Sequence, residues 1–405
     1  MRRVVVNICR LVLAATFILS GFVKAIDPLG TQYKIDDYME AVHMGGTLPP
    51  WVTLGASVLQ SAVEFCLGIF LLFAIQRRLT SRFILLIMAV MTPLTLWLAL
   101  ANPISDCGCF GDAVVLTNWQ TFWKNVVLLL CAVILVLWPK DMFRFVSESN
   151  QWIVINYTAL FITGISAWSL YYLPLFDFRP YHIGTNLRQQ WQRTMEGEDL
   201  PYADLFIEQV GGSDITEAVL NDTSYTFLMV SPYLEQADDS RLDLLNELYE
   251  YANEHGYGFY CLTSSTAQNI KRWSDSTGAE YPFCLTDGIT LKTIIRSNPG
   301  IVLMHDGVIL RKWSHNDLPE FDEATSLLPL EQQAIGQLPD DDVAKKIALL
   351  LIWFVLPLSL LTLADRLWMW TKWLRRRHNP NKEKKPEAPD TQENPESKNS
   401  HNKPQ

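Results

Sequence analysis

Two cysteines separated by one glycine, Cys107-Gly108-Cys109, are the residues of this 405-residue chain best placed to do chemistry. They stand in the stretch Asn-Pro-Ile-Ser-Asp-Cys-Gly-Cys-Phe-Gly-Asp, after a long apolar segment that Pro103 ends. Gly108 gives the backbone freedom to bring the sulfurs together. A disulfide closed over so small a ring departs from preferred geometry, so it is strained and easily reduced, which suits exchange better than bracing. Asp106 and Asp112 act against this, because nearby negative charge disfavours the thiolate, and Lys24 is the candidate to offset them. A packing turn, and a metal-ligand pair without visible further ligands, are the competing readings.

Glu64 is an ionisable residue inside another apolar segment, a placement that is costly and usually functional. It lies thirteen residues past Trp51, about 20 Å along a helix, near mid-bilayer or beyond, so its depth alone gives no ground for contact with Cys107. Its two readings are a proton path or quinone-hydroxyl partner, and an interhelical hydrogen-bond partner. Lys24 and Asp27, within one helical turn of each other, are expected to form an interfacial ion pair. Cys9, Cys66 and Cys131 fall in apolar segments and read as small hydrophobes. Cys261 and Cys284 fall on candidate strands, and a disulfide between them stands against two buried free thiols.

These residues must be positioned by membrane spans. Hydrophobic residues make up 49% of the chain and charged ones only 19%, below the roughly 25% of soluble domains. Six segments, 4–23, 51–75, 83–100, 122–138, 152–173 and 347–370, approach or exceed the length a bilayer requires. Tryptophans 51, 119, 123, 138, 152, 368 and 370 stand at or near their ends. Arg2 and Arg3, the group Arg77, Arg78 and Arg82, Lys140 with Arg144, and Lys372 with Arg375–Arg377 all fall on one side if the spans alternate. The positive-inside rule makes that side the cytoplasm, with both termini in. The first span has no small-residue cleavage site after it and reads as a retained anchor. Residues 24–50, 101–121 and the block 176–345 then face outward, into the oxidising periplasm of a bacterium.

Residues 176–342 carry 28 acidic and 10 basic side chains, which sets this block apart from the mildly basic remainder. The net charge of −10 argues against nucleic-acid binding. Within the block, strands are expected at 225–231, 258–263, 281–285, 301–305 and 308–313, and helices at 239–255, 266–276 and 289–297. Asp306-Gly307 is the strongest hairpin signal in the chain. The order βαβαβαββ argues for a small sheet with helices on its faces. The tail from Arg375 is polar and aperiodic and is expected to be disordered.

Residues 1–140 resemble the DoxX/MauE family of four-helix bacterial membrane proteins. The motifs are Ser20-Gly21-Phe22-Val23-Lys24 with Asp27-Pro28, Glu64, and Cys107-Gly108-Cys109-Phe110-Gly111. The resemblance implies a redox-associated protein of the inner membrane, linked either to disulfide formation or to quinone-linked oxidation. Residues 222–320 resemble a thioredoxin/TlpA-type domain, in which Pro299 would be the cis-proline. The CxxC of that family is missing, since Ser231-Pro232-Tyr233-Leu234-Glu235 follows the first strand, so dithiol chemistry there is excluded. The expected organisation is a four-helix membrane domain (1–148), a fifth span (149–175), a periplasmic thioredoxin-like α/β domain (176–345), a sixth span (346–371) and a cytoplasmic tail (372–405). The leading expectation is thiol–disulfide exchange with a periplasmic client through Cys107 and Cys109, with Lys24 and Glu64 as charge or proton partners. A non-catalytic assembly protein and a component using a membrane quinone are the alternatives.

Overall fold

The computed structural model describes residues 1–104, 107–198, 205–322, 324–339 and 342–378. Asp106 and the tail beyond His378 lie outside the described residues. The chain begins with α1 (Arg2–Ile26), α2 (Pro28–Ala41), α3 (Pro50–Phe73), α4 (Arg77–Ala101), α5 (Asn118–Leu137) and α6 (Gln151–Tyr171). After the insert, α12 (Val343–His378) closes the described chain, so residues 375–378, expected in a disordered tail, continue a helix. Among the described residues, six helices are long and apolar enough to cross a membrane: α1, α3, α4, α5, α6 and α12. Large apolar side chains such as Leu100, Leu160 and Trp353 stand on their outer surfaces, where only an apolar solvent would suit them.

Helices α1 and α3 form the centre. One side of the pair packs with α4 and α5 around Leu13, Phe17, Leu71, Ile84 and Leu128. The other packs with α6 and α12, where Phe65, Phe161 and Phe354 cluster with centroids 4.5–6.1 Å apart. The close approach of α1 and α3 depends on two glycines. A Cβ on Gly21 would lie 2.3 Å from the Phe65 nitrogen, and one on Gly68 would lie 2.7 Å from the Ile18 nitrogen. Small residues at crossings are how membrane helices gain packing without a hydrophobic drive.

Helix α2 was not expected, since residues 24–50 carry no apolar periodicity. It is started locally: Asp27 accepts the Gly30 amide at 2.9 Å and Pro28 takes the first helical position.

The insert contains α7 (Leu187–Met195), β1 (Glu208–Gln209), β2 (Ser213–Asp214), α8 (Thr216–Asn221) and β3 (Tyr225–Ser231). It continues through α9 (Leu242–Glu254), β4 (Gly258–Thr263), α10 (Ala267–Thr277), β5 (Phe283–Leu285), α11 (Gly288–Ile294), β6 (Gly300–His305) and β7 (Val308–Ser314). Its strands form one sheet in the order β2-β1-β5-β4-β3-β6-β7, with β3, β4 and β5 parallel and β6 and β7 antiparallel. Every residue of β3 is buried, which is why its sequence is a continuous apolar run. Asp306 and Gly307 both take positive φ, as the tight hairpin between β6 and β7 requires. The strands agree with the sequence expectation; β1 and β2 are additional.

Of the two readings left open for Cys261 and Cys284, the fold has the two buried free thiols and not the bridge. Parallel pairing sets Cys261 opposite Phe283 and Cys284 opposite Leu262, a one-residue offset. Side chains alternate faces, so Cys261 enters the core with Phe227 and Trp273, and Cys284 the opposite one with Val230 and Leu291. Both thiols are free, and burial pushes that of Cys284 up to about 11.

Candidate functional site

The cysteine loop is fixed at both ends. Asn102 closes α4 in the left-handed region, and Thr117 opens α5 with a reciprocal capping box to Gln120. Between them Gly108 and Gly111 take positive φ, and the Gly111 amide donates to the Gly108 carbonyl at 3.1 Å. Phe110 is buried and anchors the loop in the bundle, with the Lys124 ammonium 4.2 Å from its ring centroid.

The Cys107 and Cys109 sulfurs lie 2.8 Å apart, and both cysteines are free. The pair is electrostatically unequal. A hydrogen bond from Cys109, opposed by burial and assisted by the Tyr38 hydroxyl and the charges of Lys24 and Lys124, brings the Cys107 thiol down to about 6. The same hydrogen bond, together with burial, pushes Cys109 well up. The surroundings therefore favour the thiolate at Cys107 and the thiol at Cys109.

Lys24 does not pair with Asp27, contrary to the sequence expectation. Its ammonium donates to Glu64 at 2.7 and 2.8 Å. Asp27 turns away because it ends α1 and caps α2. The Gln60 amide also donates to Glu64 at 3.0 Å, so the buried carboxylate is paired and hydrogen-bonded, as a low-dielectric site demands. Glu64 is also closer to the cysteines than helix arithmetic suggested. The Ser20 hydroxyl lies 2.7 Å from Glu64 Oε2 and 2.7 Å from the Cys109 carbonyl oxygen, one proton between two acceptors. The loop folds down onto the end of the bundle where α1 stops, which a count along α3 alone does not reveal. Ser20 with Lys24, and Gln60 with Glu64, are polar pairs four residues apart on apolar helices, the signal that could have shown the shared face.

Three further residues escaped sequence reasoning. Tyr38 donates to the Cys107 carbonyl at 2.9 Å. Lys124 lies within a span and had the same claim to attention as Glu64. Arg296, in the insert, donates to Asp27 at 3.0 and 3.1 Å. Nearby, the Lys292 ammonium lies 4.8 Å from the Tyr33 ring of α2 and 5.1 Å from the Tyr233 ring of the insert. Between insert and bundle is a cleft of about 660 Å³, whose lining includes Gly108, Gly111 and Asp112 from the loop. The Asn298–Pro299 peptide is cis, and Asn298 ties the ends of its neighbouring segment by accepting from Ser231 at 2.7 Å and donating to the Tyr233 carbonyl at 2.9 Å.

With this geometry in view, comparison with known proteins settles one point. Residues 2–138 match the family model of the methylamine utilisation protein MauE. The match ends with α5 and covers a third of the chain, including both cysteines, Lys24 and Glu64. No curated protein and no solved structure matches the chain. The chain is thus a protein with several membrane-crossing helices, a MauE-like N-terminal region and a sheet-containing insert before its last helix.

Proposed function

We propose that this chain is a thiol–disulfide exchange protein of the bacterial inner membrane, acting on extracytoplasmic polypeptides. The observation that carries the reading is the unequal sulfur pair: Cys107 and Cys109 lie 2.8 Å apart in a loop whose Gly108 lines the cleft, with surroundings that favour the thiolate at Cys107 and the thiol at Cys109. In the forward step the Cys107 thiolate attacks one sulfur of a client disulfide, and a client thiolate leaves. Cys109, on losing its proton, attacks Cys107 Sγ; the mixed disulfide breaks, the second client thiolate leaves, and Cys107–Cys109 is oxidised. Run backward, the same steps oxidise a client dithiol. Lys24 and Lys124 supply positive charge to the thiolates that form.

The basic clusters support an orientation with both termini cytoplasmic, which puts the cysteine loop, α2 and the insert outside. The insert, read as thioredoxin-like with Ser231-Pro232-Tyr233 where that family carries its thiols, would hold the client rather than react with it. The test is to replace Cys107 and Cys109 with serine and to trap thiols of envelope proteins in intact cells. The expected result is accumulation of a client in one thiol state. No change in any envelope protein would overturn exchange. A phenotype lost on deleting residues 200–325 but kept without the cysteines would instead favour an assembly role.

A further inference from the structure

The acidic neighbours that should suppress the cysteines meet an unexpected cation. Arg296 follows α11 in the insert, yet its side chain is only 8% exposed at the outer end of the bundle. Nη2 lies 2.9 Å from Asp27 Oδ2 and 3.4 Å from Asp112 Oδ2, and the guanidinium carbon lies 5.2 Å from the Tyr33 ring centroid. Asp112 stands three residues after Cys109 in the same tight loop, and Asp27 three residues after Lys24. Two carboxylates therefore sit in the surroundings of the dithiol, and one buried arginine binds both.

Other charged groups stand around the site, and Arg179 and Lys34 also act on Asp112, more weakly than Arg296. On α1, Lys24 is engaged by Glu64 of α3. On α5, Lys124 lies over Phe110. On α2, Lys34 packs against Gly108, with Tyr38 on the Cys107 carbonyl and Asp37 along the cleft. In the insert, Arg179 pairs with Asp177, and Lys292 sits between two tyrosine rings. Neither Lys24 nor Lys124 touches Asp27 or Asp112.

We propose that Arg296 is a positioning residue for the thiol pair: it offsets part of the negative charge of Asp27 and Asp112 and, through Asp112, pins the cysteine loop against the bundle. The insert, which has no reactive thiol of its own, thereby contributes electrostatically to a site in the membrane domain. This deepens the exchange reading, but its test does not depend on any client.

The experiment measures the rate of Cys107 alkylation by iodoacetamide against pH in the reduced full-length protein, read on the peptide that carries Cys107. In Arg296→Gln the midpoint is expected to rise by about one pH unit, the effect of an uncompensated charge roughly 10 Å away at an effective dielectric of about 20. Arg296→Lys should stay near the parent. Arg296→Gln combined with Asp27→Asn and Asp112→Asn removes one positive and two negative charges and should bring the midpoint down to the parent value or below it, which loss of a purely structural latch would not do. An unchanged midpoint in Arg296→Gln, or no recovery in the triple variant, overturns the proposal. If Arg296→Gln does not fold, Asp27→Asn with Asp112→Asn leaves the arginine unopposed and should lower the midpoint; no shift there overturns it equally. A normal set of shifts in a protein that exchanges with no client would sink the exchange reading and leave this one standing.

Discussion

Cys107 and Cys109 share a loop with a single glycine between them; Cys261 and Cys284 come from adjacent strands of the insert. Both pairs are close in the fold and carry free thiols, yet their surroundings drive them in opposite directions. The loop pair has its sulfurs 2.8 Å apart, with lysines nearby and one thiol brought down to about 6. The strand pair points to opposite faces of the sheet, into two apolar cores without a cation, and burial raises both thiols. Proximity of cysteines along a chain or across a sheet therefore says little until side-chain direction and local charge are known.

The sharpest way to break that contrast is alkylation of the reduced native protein. Cys107 should react about 10³-fold faster than Cys284 near neutral pH, because its larger thiolate fraction outweighs its weaker intrinsic nucleophilicity and Cys284 is fully enclosed, 0% exposed against 7% for Cys107. Comparable rates, read peptide by peptide, would mean the environments do not differ as described. Next in size is the charge beneath the loop. Glu64→Ala leaves the Lys24 ammonium buried without its partner and should cost about 3–5 kcal/mol in thermal unfolding of the detergent-solubilised protein. Replacing Lys24 and Glu64 together by Met and Leu should recover most of that loss.

Smaller effects sharpen the comparison from the other side. Cys261→Ser puts a hydroxyl into an apolar core and should destabilise the protein by about 1–3 kcal/mol while leaving Cys107 reactivity unchanged. A change in Cys107 reactivity would mean that the insert core and the loop are coupled. Last, Cys109→Ala removes the leading cause of the lowered Cys107 thiol, the hydrogen bond from its neighbour. The thiolate is the nucleophile, so alkylation of the parent should rise as pH passes up through about 6 and then level off. In Cys109→Ala the rise should move upward by about one unit, and a midpoint that stays in place would assign the effect to Lys24 and Lys124 instead.

Much of the fold was legible because its signals are local. Runs of apolar residues mark the six long helices, and the succession of strand and helix patterns, with Asp306-Gly307 at the hairpin, marks the order of elements along the insert from β3 onward. Helix α2 was missed because its only start signals are a cap and a proline, with no apolar stripe behind them. The Lys24–Asp27 pair was misread because sequence spacing ignores which way a residue at a helix corner must turn. The link from Glu64 through Ser20 to the Cys109 carbonyl was not legible, because a loop that folds inward cannot be seen by counting along a neighbouring helix.

The sequence by itself determined that the chain crosses a membrane and that Cys107 and Cys109 lie within reach of each other, since length, hydropathy and a one-residue spacing are fixed along the chain. Only the tertiary structure decided what surrounds them. Ser20, Lys24 and Glu64 meet because Gly21 and Gly68 let α1 and α3 approach closely in one particular phase. Arg296 reaches Asp27 across 269 positions because the insert folds back onto the outer end of the bundle. Charges interact through space, and no pattern along the sequence records which distant partner will stand a few ångströms away.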